Sequence, residues 1–278
     1  MQFHNQQRQA AVYSSLQNEK VKAMAALLEK KHRDRSGKFL IEGVHLIQEA
    51  LLAGAEVEMI VYDMERGMPE ELASLLAGGV QYGGQYAEAS SAVMAKCTGT
   101  DTPPPVFGVV AKPRADAAAL YHEQVLVVVL DGVRDPGNVG TIIRSADAVG
   151  ADAVILGKGC VDLYNPKTVR STMGSLFHLP VLEADLRELL PAARQRGVKL
   201  VGTSLQASDT CYSYDWRGAR WLLLGNESTG LSEQALQLVD DNVIIPMRGK
   251  SESLNVAMAA TVVLYEALRQ REYMIDKT

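Results

Sequence analysis

The stretch that most constrains this chain is QVLVVVLDG, residues 124–132. Six apolar residues run through it without a break, four of them valine. A strand with one wet face alternates apolar and polar residues, so an unbroken run predicts a strand buried on both faces. Such strands sit in parallel sheets, because parallel neighbours need a crossover helix to join them. The sequence that follows keeps this rhythm. Helices are expected at 138–150, 165–174 and 186–197, with strands at 151–157, 178–184, 199–205, 220–227 and 241–247. A helix over 253–271 closes the series, with Ser251 or Ser253 at its cap and an apolar face of Leu254, Ala257, Met258, Thr261, Val262, Tyr265 and Leu268. The class is α/β, with a mostly parallel sheet flanked by helices.

A smaller α/β unit precedes it. A helix capped by Ser14 or Ser15 is expected to run to about His32, with further helices at 44–54 and 69–79. Strands are expected at 37–43, 57–63 and 106–113. Residues 113–123 shift to Ala, Pro and charge and read as a linker. The domains are then 1–112 and 124–278.

Charge narrows the partners. The net charge is −5, yet residues 1–40 hold eight basic side chains, Arg8 among them, against three acidic ones. A basic arm on an acidic body suits phosphate contacts at one end. A solvated helix end explains residues 30–35 equally well. No apolar stretch is long enough for a membrane span, and no secretory signal core is visible. Cys97, Cys160 and Cys211 form no C-x-x-C pair. Three buried thiols in a reducing cytoplasm are expected, with no disulfide framework and no metal.

Ligands in open parallel sheets bind beyond the carboxyl ends of the strands, and three loops there are unusual. In LDGVRDPGNVGTIIRSAD, residues 130–147, the dinucleotide spacing G-x-G-x-x-G is absent. Asn138 is expected to cap the helix. Gly140 and Arg144, four apart, share a helix face, and the missing side chain at Gly140 suggests a shallow opening beside the guanidinium. Arg144 reads equally as a functional cation or as a structural partner of Asp147 or Asp131. In LLLGNESTGLS, residues 222–232, Gly225 and Gly230 have phosphate-loop spacing, but Leu231 replaces the lysine that loop needs. Glu227 is either a helix-start acid or a ligand contact. In MRGKSESLNVAMA, residues 247–259, the letters GKS lack the upstream glycine of a P-loop. A dehydrogenase or nucleoside triphosphatase is therefore disfavoured.

Together and in this order, PGNVGTIIRSAD, LLLGNESTGLS and IPMRGKSESLNVAMAATVVLYEALRQR closely resemble the three motifs of the SpoU (TrmH) family of RNA 2′-O-ribose methyltransferases, in the SPOUT superfamily. The resemblance spans residues 125–271. NEKVKAMAALLEKKHRDRSGKFLIEGVHLIQEAL looks like the ribosomal protein L30e-like substrate-binding domain that precedes the catalytic domain in many ribosomal RNA members. The resemblance implies a C-terminal SPOUT domain with a trefoil knot, S-adenosylmethionine as cofactor, and a homodimer. It implies Gly225, Ile245 and Leu254 as cofactor contacts, with Thr203, Leu205, Asn226 and Met247 lining the same pocket. Arg144 matches the arginine thought to activate the ribose hydroxyl, and Asn138, Glu227, Ser253 and Asn255 match the other polar positions. Lys30, Lys31, Arg33, Arg35 and Lys38 are the RNA-contact candidates. The expected substrate is ribosomal RNA of the 23S type. The alternatives are a transfer RNA 2′-O-methyltransferase, or a non-catalytic RNA-binding or ribosome-assembly protein that keeps the fold.

Overall fold

The computed structural model describes residues 10–113 and 120–273. Arg8 and residues 114–119 of the expected linker lie outside them. The chain divides into two compact units, Met1–Pro113 with Tyr164–Pro166, and Arg114–Leu163 with Lys167–Thr278.

The first unit runs β1 (Ala11–Tyr13), α1 (Glu19–Ala26), α2 (Lys30–Ser36), β2 (Lys38–Glu42), α3 (Val44–Leu52), β3 (Val57–Asp63), α4 (Glu70–Ala77), β4 (Gln85–Ala89), α5 (Ser91–Thr98) and β5 (Val106–Ala111). Its sheet has the order β1-β4-β3-β5-β2, parallel on the β1 side and antiparallel around β5. Val21, Met24, Leu40, Val61, Met94 and Phe107 belong to its core.

The single long helix expected up to His32 is two helices. Asn18, not Ser14 or Ser15, caps α1 by accepting the Lys20 N–H at 2.9 Å. After Ala26 the backbone tightens, with Leu27, Leu28 and Glu29 each bonding three residues back. Arg33 then folds under the break and donates to the Leu27 carbonyl at 2.6 Å. This supplies a donor to a carbonyl that a continuous helix would have satisfied itself. β1, β4 and α5 had no counterpart in the sequence reading.

The second unit runs β6 (Leu126–Asp131), α6 (Pro136–Ala148), β7 (Ala153–Leu156), α7 (Pro166–Thr172), β8 (Val181–Glu183), α8 (Leu186–Gln195), β9 (Lys199–Thr203), β10 (Asp209–Thr210), β11 (Arg220–Gly225), α9 (Glu233–Leu238), β12 (Asp241–Ile244) and α10 (Val256–Glu272). Its seven strands lie in the order β10-β12-β9-β11-β6-β7-β8, and every pairing is parallel. All six residues of β6 are buried, as its unbroken apolar run requires. Val127, Val129, Ile155, Leu200, Trp221 and Leu223 pack in one core cluster.

From β6 the chain steps to β7 and β8 on one side, then returns to build β9, β11 and β12 on the other. The strand order therefore reverses between β6 and β11, and the crevice at such a switch point is where open parallel sheets take ligands. β8 is shorter than expected. Residues 175–177 form a 3-10 turn, and Pro180 has no N–H to give a ladder.

Two corrections concern helix ends. Asp135, not Asn138, caps α6: its carboxylate accepts the Asn138 N–H at 2.8 Å, and Pro136 takes the first helical position. Asn255, not Ser251 or Ser253, caps α10 by accepting from Ala257 N at 2.9 Å. α10 is also turned from its expected face. Ala257, Ala260, Val263, Leu264 and Ala267 point into the protein, while Met258 and Tyr265 stay about half exposed.

Candidate active site

The carboxyl ends of β9, β11 and β12 frame a cleft of about 550 Å³. Its walls come from three loops that the parallel topology delivers to one edge: residues 203–205, 224–230 and 243–259. Thr203, Leu205, Gly225, Asn226, Ile245, Met247 and Leu254, the seven expected cofactor contacts, all line it. Glu227, Ser253 and Asn255 line it too. Asn138 and Arg144 are not among its lining residues. Ser204, Ser228, Gly230 and Val256 also face it and were missed. Their only signal was their position inside the same three loops.

Asn226 shapes the loop after β11. Its side-chain oxygen accepts the N–H groups of Ser228 and Thr229 at 3.0 and 3.2 Å, an Asx turn. Its backbone exchanges two 2.9 Å hydrogen bonds with Gly230. Its amide donates to the Gly132 carbonyl at 2.8 Å, tying this loop to the one after β6. Gly225 makes the tight return possible. A Cβ there would lie 2.1 Å from the Gly230 carbonyl carbon. The buried carboxylate of Asp131 accepts the Ser232 N–H at 2.7 Å and closes the far end.

A polar chain crosses the mouth of the cleft. Asn255 Nδ2 donates to Asn138 Oδ1 at 3.0 Å, and Asn138 Nδ2 donates to Glu227 Oε1 at 2.9 Å. Each amide is oriented by both ends, because Asn255 Oδ1 is already committed to the α10 cap. Asn138 can serve here because Asp135 performs the cap that Asn138 was expected to supply. Three of the five expected catalytic residues thus meet in direct contact. Ser253 lies on the same cleft wall, two residues before the α10 cap.

Arg144 stands apart on α6, exposed to solvent. The two acids offered to it by sequence are engaged elsewhere. Asp147 Oδ2 lies 2.9 Å from His178 Nδ1, and Asp131 holds Ser232. Among the described residues Arg144 forms no ion pair within 4.0 Å. The expected opening at Gly140 is filled. A Cβ there would lie 2.3 Å from Ser171 Cβ, so the missing side chain lets α7 close on α6.

Cysteine chemistry has no place beside the cleft. Cys160 Sγ donates to the Leu130 carbonyl at 3.2 Å, and burial pushes its thiol up, away from the reactive thiolate. Cys97 and Cys211 are buried, whereas Cys160 is half-buried. Among the described residues no group of His, Cys, Asp and Glu could hold a metal ion, and no helix is long and apolar enough to cross a membrane.

The basic candidates of the first unit divide. Lys31 and Arg35 are exposed, and Lys30 is exposed with its amine 3.5 Å from Asp34. Lys38 is half-buried and paired with Glu58 at 2.6 Å. Arg33 is only 2% exposed and spent on the helix break, so it is withdrawn as an RNA contact.

Residues 125–265 match the model of the SpoU rRNA methylase family, and residues 18–108 match that of the MRM3-like substrate binding domain. The chain is 39% identical to the 23S rRNA (guanosine(2553)-2′-O)-methyltransferase RlmP of Bacillus subtilis, over 90% of this chain and 96% of that protein. It is 38% identical to the 23S rRNA (uridine(2479)-2′-O)-methyltransferase of Streptomyces viridochromogenes, over 89% and 88%. Among solved structures, the SpoU methyltransferase AviRb from S. viridochromogenes in complex with AdoMet superposes with a TM-score of 0.83 at 36% identity, covering 93% of this chain and all of that one. The AdoMet-bound rRNA methyltransferase from Sinorhizobium meliloti gives 0.83 at 35% identity, covering 94% and 98%. Fold, loop order and similarity over nearly the full length agree: the chain belongs to the SpoU family of rRNA methylases.

Proposed function

We propose that this protein transfers a methyl group from S-adenosylmethionine to a ribose 2′-hydroxyl of ribosomal RNA, of the 23S type. The observation that carries the reading is the cleft whose walls hold all seven expected cofactor residues, with the Asn255–Asn138–Glu227 chain at its mouth. Its volume falls in the ~300–1,000 Å³ usual for small-molecule sites. Its loops present backbone N–H and C=O groups, which suit a neutral heterocycle. The bound cofactor supplies an activated methyl on a sulfonium.

This chain's own residues position the acceptor. Asn138, fixed at both ends of its amide, and Glu227 hold the ribose side of the mouth. Ser253 and Asn255 close the same wall. A guanidinium donates and does not accept, so the role of Arg144 is to orient the hydroxyl or adjacent phosphate and to stabilise developing alkoxide charge. Holding oxygen and methyl carbon in line supplies much of the acceleration.

The first unit brings RNA. Lys30, Lys31, Arg35 and Lys38 are its phosphate contacts, and such contacts position without reading sequence. The enzyme works as a homodimer in the cytoplasm. The dimer is supported by Met258 and Tyr265, two large apolar side chains that stay 56% and 50% exposed on α10. The loop before α10 forms the trefoil knot, a reading supported by the tie of Gln270 and Arg271 on α10 to Trp216 in an earlier loop.

The test is Arg144→Ala, assayed with labelled S-adenosylmethionine and unmodified 23S rRNA. Methyl transfer is abolished and cofactor binding by calorimetry is nearly unchanged. Full activity in the variant removes Arg144 from the mechanism. A wild-type protein that binds the cofactor and RNA but transfers nothing overturns the reaction itself.

A further inference from the structure

The first unit holds a cavity of about 760 Å³ beside α1, at the end of the sheet where β2, β3 and β4 begin. Its floor is the edge of that unit's core. Met24, Leu27, Leu51 and Val57 each keep 5% exposure there and Val109 keeps 6%, while Val21, Ile41 and Val61 keep none. Apolar surface left facing water costs free energy that a larger neighbouring side chain would recover. Small residues hold the space open instead. Ala23 on α1 and Gly83 in the loop before β4 both line it, and a Cβ at Gly83 would meet nothing within 4 Å.

One wall is aromatic and fixed. Tyr82 donates its hydroxyl to the Gln85 carbonyl at 2.6 Å, and its ring meets that of Tyr86 edge-on at 4.8 Å. A Cβ on Gly84 would lie 2.5 Å from the Tyr82 ring, so the ring holds this place only over a glycine. Another wall is a stripe on α1: Lys20, Ala23, Met24 and Leu27 follow the i, i+3, i+4, i+7 spacing of one helix face. The stripe runs from a cation at the rim to apolar carbon at the floor. Lys20 is exposed and, among the described residues, forms no ion pair within 4.0 Å. Lys38 lines the cavity too, paired with Glu58 at 2.6 Å, and Glu56 is the fourth charged residue there. Two lysines against two glutamates leave no net charge, a poor match for a free nucleoside triphosphate or any other multiple anion.

We propose that this cavity takes one unstacked base of the substrate RNA, with Met24, Met59 and the Tyr82 ring against its face and Lys20 on its phosphate. The inference rests on the methyl-transfer reading above, in which the first unit brings RNA. Proteins read single-stranded RNA by receiving bases splayed out of loops and bulges on aromatic side chains, and thioethers also lie well against aromatic faces. A base has a flat apolar face and a polar edge, which suit the apolar floor and the Glu58 and Gln85 rim. A phosphodiester carries one negative charge, which suits one unpaired lysine. α2 ends at Ser36 on the same rim, so the phosphate contacts assigned to Lys31 and Arg35 lead to the opening. The cavity lies wholly within the first unit, so its role is to select and hold RNA, with no part in the chemical step.

The experiment compares the full-length wild type with Ala23→Trp, Gly83→Trp and Lys20→Ala, using labelled S-adenosylmethionine and unmodified 23S rRNA. The two tryptophans fill the cavity from different walls, so one serves if the other disturbs folding. Each keeps the wild-type melting temperature, cofactor affinity and kcat, while its KM for RNA rises about tenfold, the range for losing one base contact. Lys20→Ala weakens RNA binding and lowers the slope of log affinity against log salt by about one, as loss of one phosphate contact requires. An active wild type with unchanged KM in both tryptophan variants overturns this inference alone. So does a KM that rises only in Lys20→Ala, which puts the phosphate outside the cavity. A rise that follows a fallen melting temperature in both tryptophan variants assigns the effect to packing and overturns it as well. A wild type with no transfer to RNA overturns the methyl-transfer reading and this inference with it.

Discussion

Asn138 and Glu227, 89 residues apart in sequence, are joined by a 2.9 Å hydrogen bond from amide to carboxylate across the switch point of the sheet. Asn138 also receives the Asn255 amide, so one side chain links the loops after β6, β11 and β12. Removing it as Asn138→Ala breaks both bonds while leaving the Asp135 cap intact. The expected outcome is a fall in methyl transfer of about 10- to 100-fold, with cofactor affinity within about twofold of wild type. Asn138→Asp falls at least as far, because it sets one carboxylate against another. Steady-state kinetics beside calorimetry decide it. A loss of cofactor binding that matches the loss of rate would make Asn138 a pocket residue instead.

Two glycines carry the packing that makes the site. A methyl at Gly140 meets Ser171 Cβ at 2.3 Å, and one at Gly225 meets the Gly230 backbone at 2.1 Å. Overpacking of this kind costs about 1–3 kcal/mol. Gly140→Ala lowers the melting temperature and displaces α7. Gly225→Ala opens the 226–230 turn and weakens cofactor binding more than it lowers stability. Thermal denaturation and calorimetry on both variants give the comparison, and equal cofactor affinities would refute it.

The Glu266 carboxylate on α10 accepts Arg269 at 2.7 and 2.8 Å and Gln270 at 2.6 Å. Gln270 in turn holds Trp216 N and the Tyr214 carbonyl. The Arg269 hydrogen bonds, then the Gln270 one, keep the carboxyl below its ordinary 4.5. A depressed folded pKa means stability that is full above the unfolded value and drains away as pH falls through the folded one. Glu266→Leu therefore costs about 1–3 kcal/mol at pH 7. The gap to wild type narrows below pH 4.5 in denaturant titrations. A gap that stays constant down to pH 3 would assign the cost to packing.

Burial pushes the Cys97 thiol up to about 11 and raises those of Cys160 and Cys211. Thiolate is the reactive form, so all three resist iodoacetamide in the folded protein at pH 8. Half-buried Cys160 reacts first, and unfolding exposes the other two together. Mass spectrometry of timed samples reads the order. Early labelling of Cys97 would mean that the first unit opens locally.

Sequence showed the sheet best where burial is extreme. The run in β6 has no polar residue to suggest an exposed face, and its strand is buried throughout. It showed least where short elements take their stability from neighbours. QYAEA in β4 mixes polar and apolar residues, and only pairing on both edges makes it a strand. The face of α10 was illegible because apolar residues nearly surround that helix, so its period could not choose between core and surface. Arg33 misled because charge predicts exposure, while a broken helix needed its donor. At the site, parallel topology alone pointed to the three loops. The particular residues came from the family resemblance, and their contacts came only with the fold. Asp135 is the readable clue, since a helix opening Asp-Pro frees the asparagine three residues on.

The all-parallel sheet also decides when this protein acquires its site. β6 is laid down early, but its neighbour β11 pairs with it from 94 residues further on, Arg220 against Leu126. The mouth of the cleft then waits for Asn255 and the first turn of α10. During synthesis the chain emerges N-terminal first, and the early unit, with its own sheet and core, can fold as it appears. The methyl-transfer machinery has no such partial form. Until residues near 259 have left the ribosome, the growing chain has its first unit but no cleft, and methyl transfer has to wait for the end of synthesis.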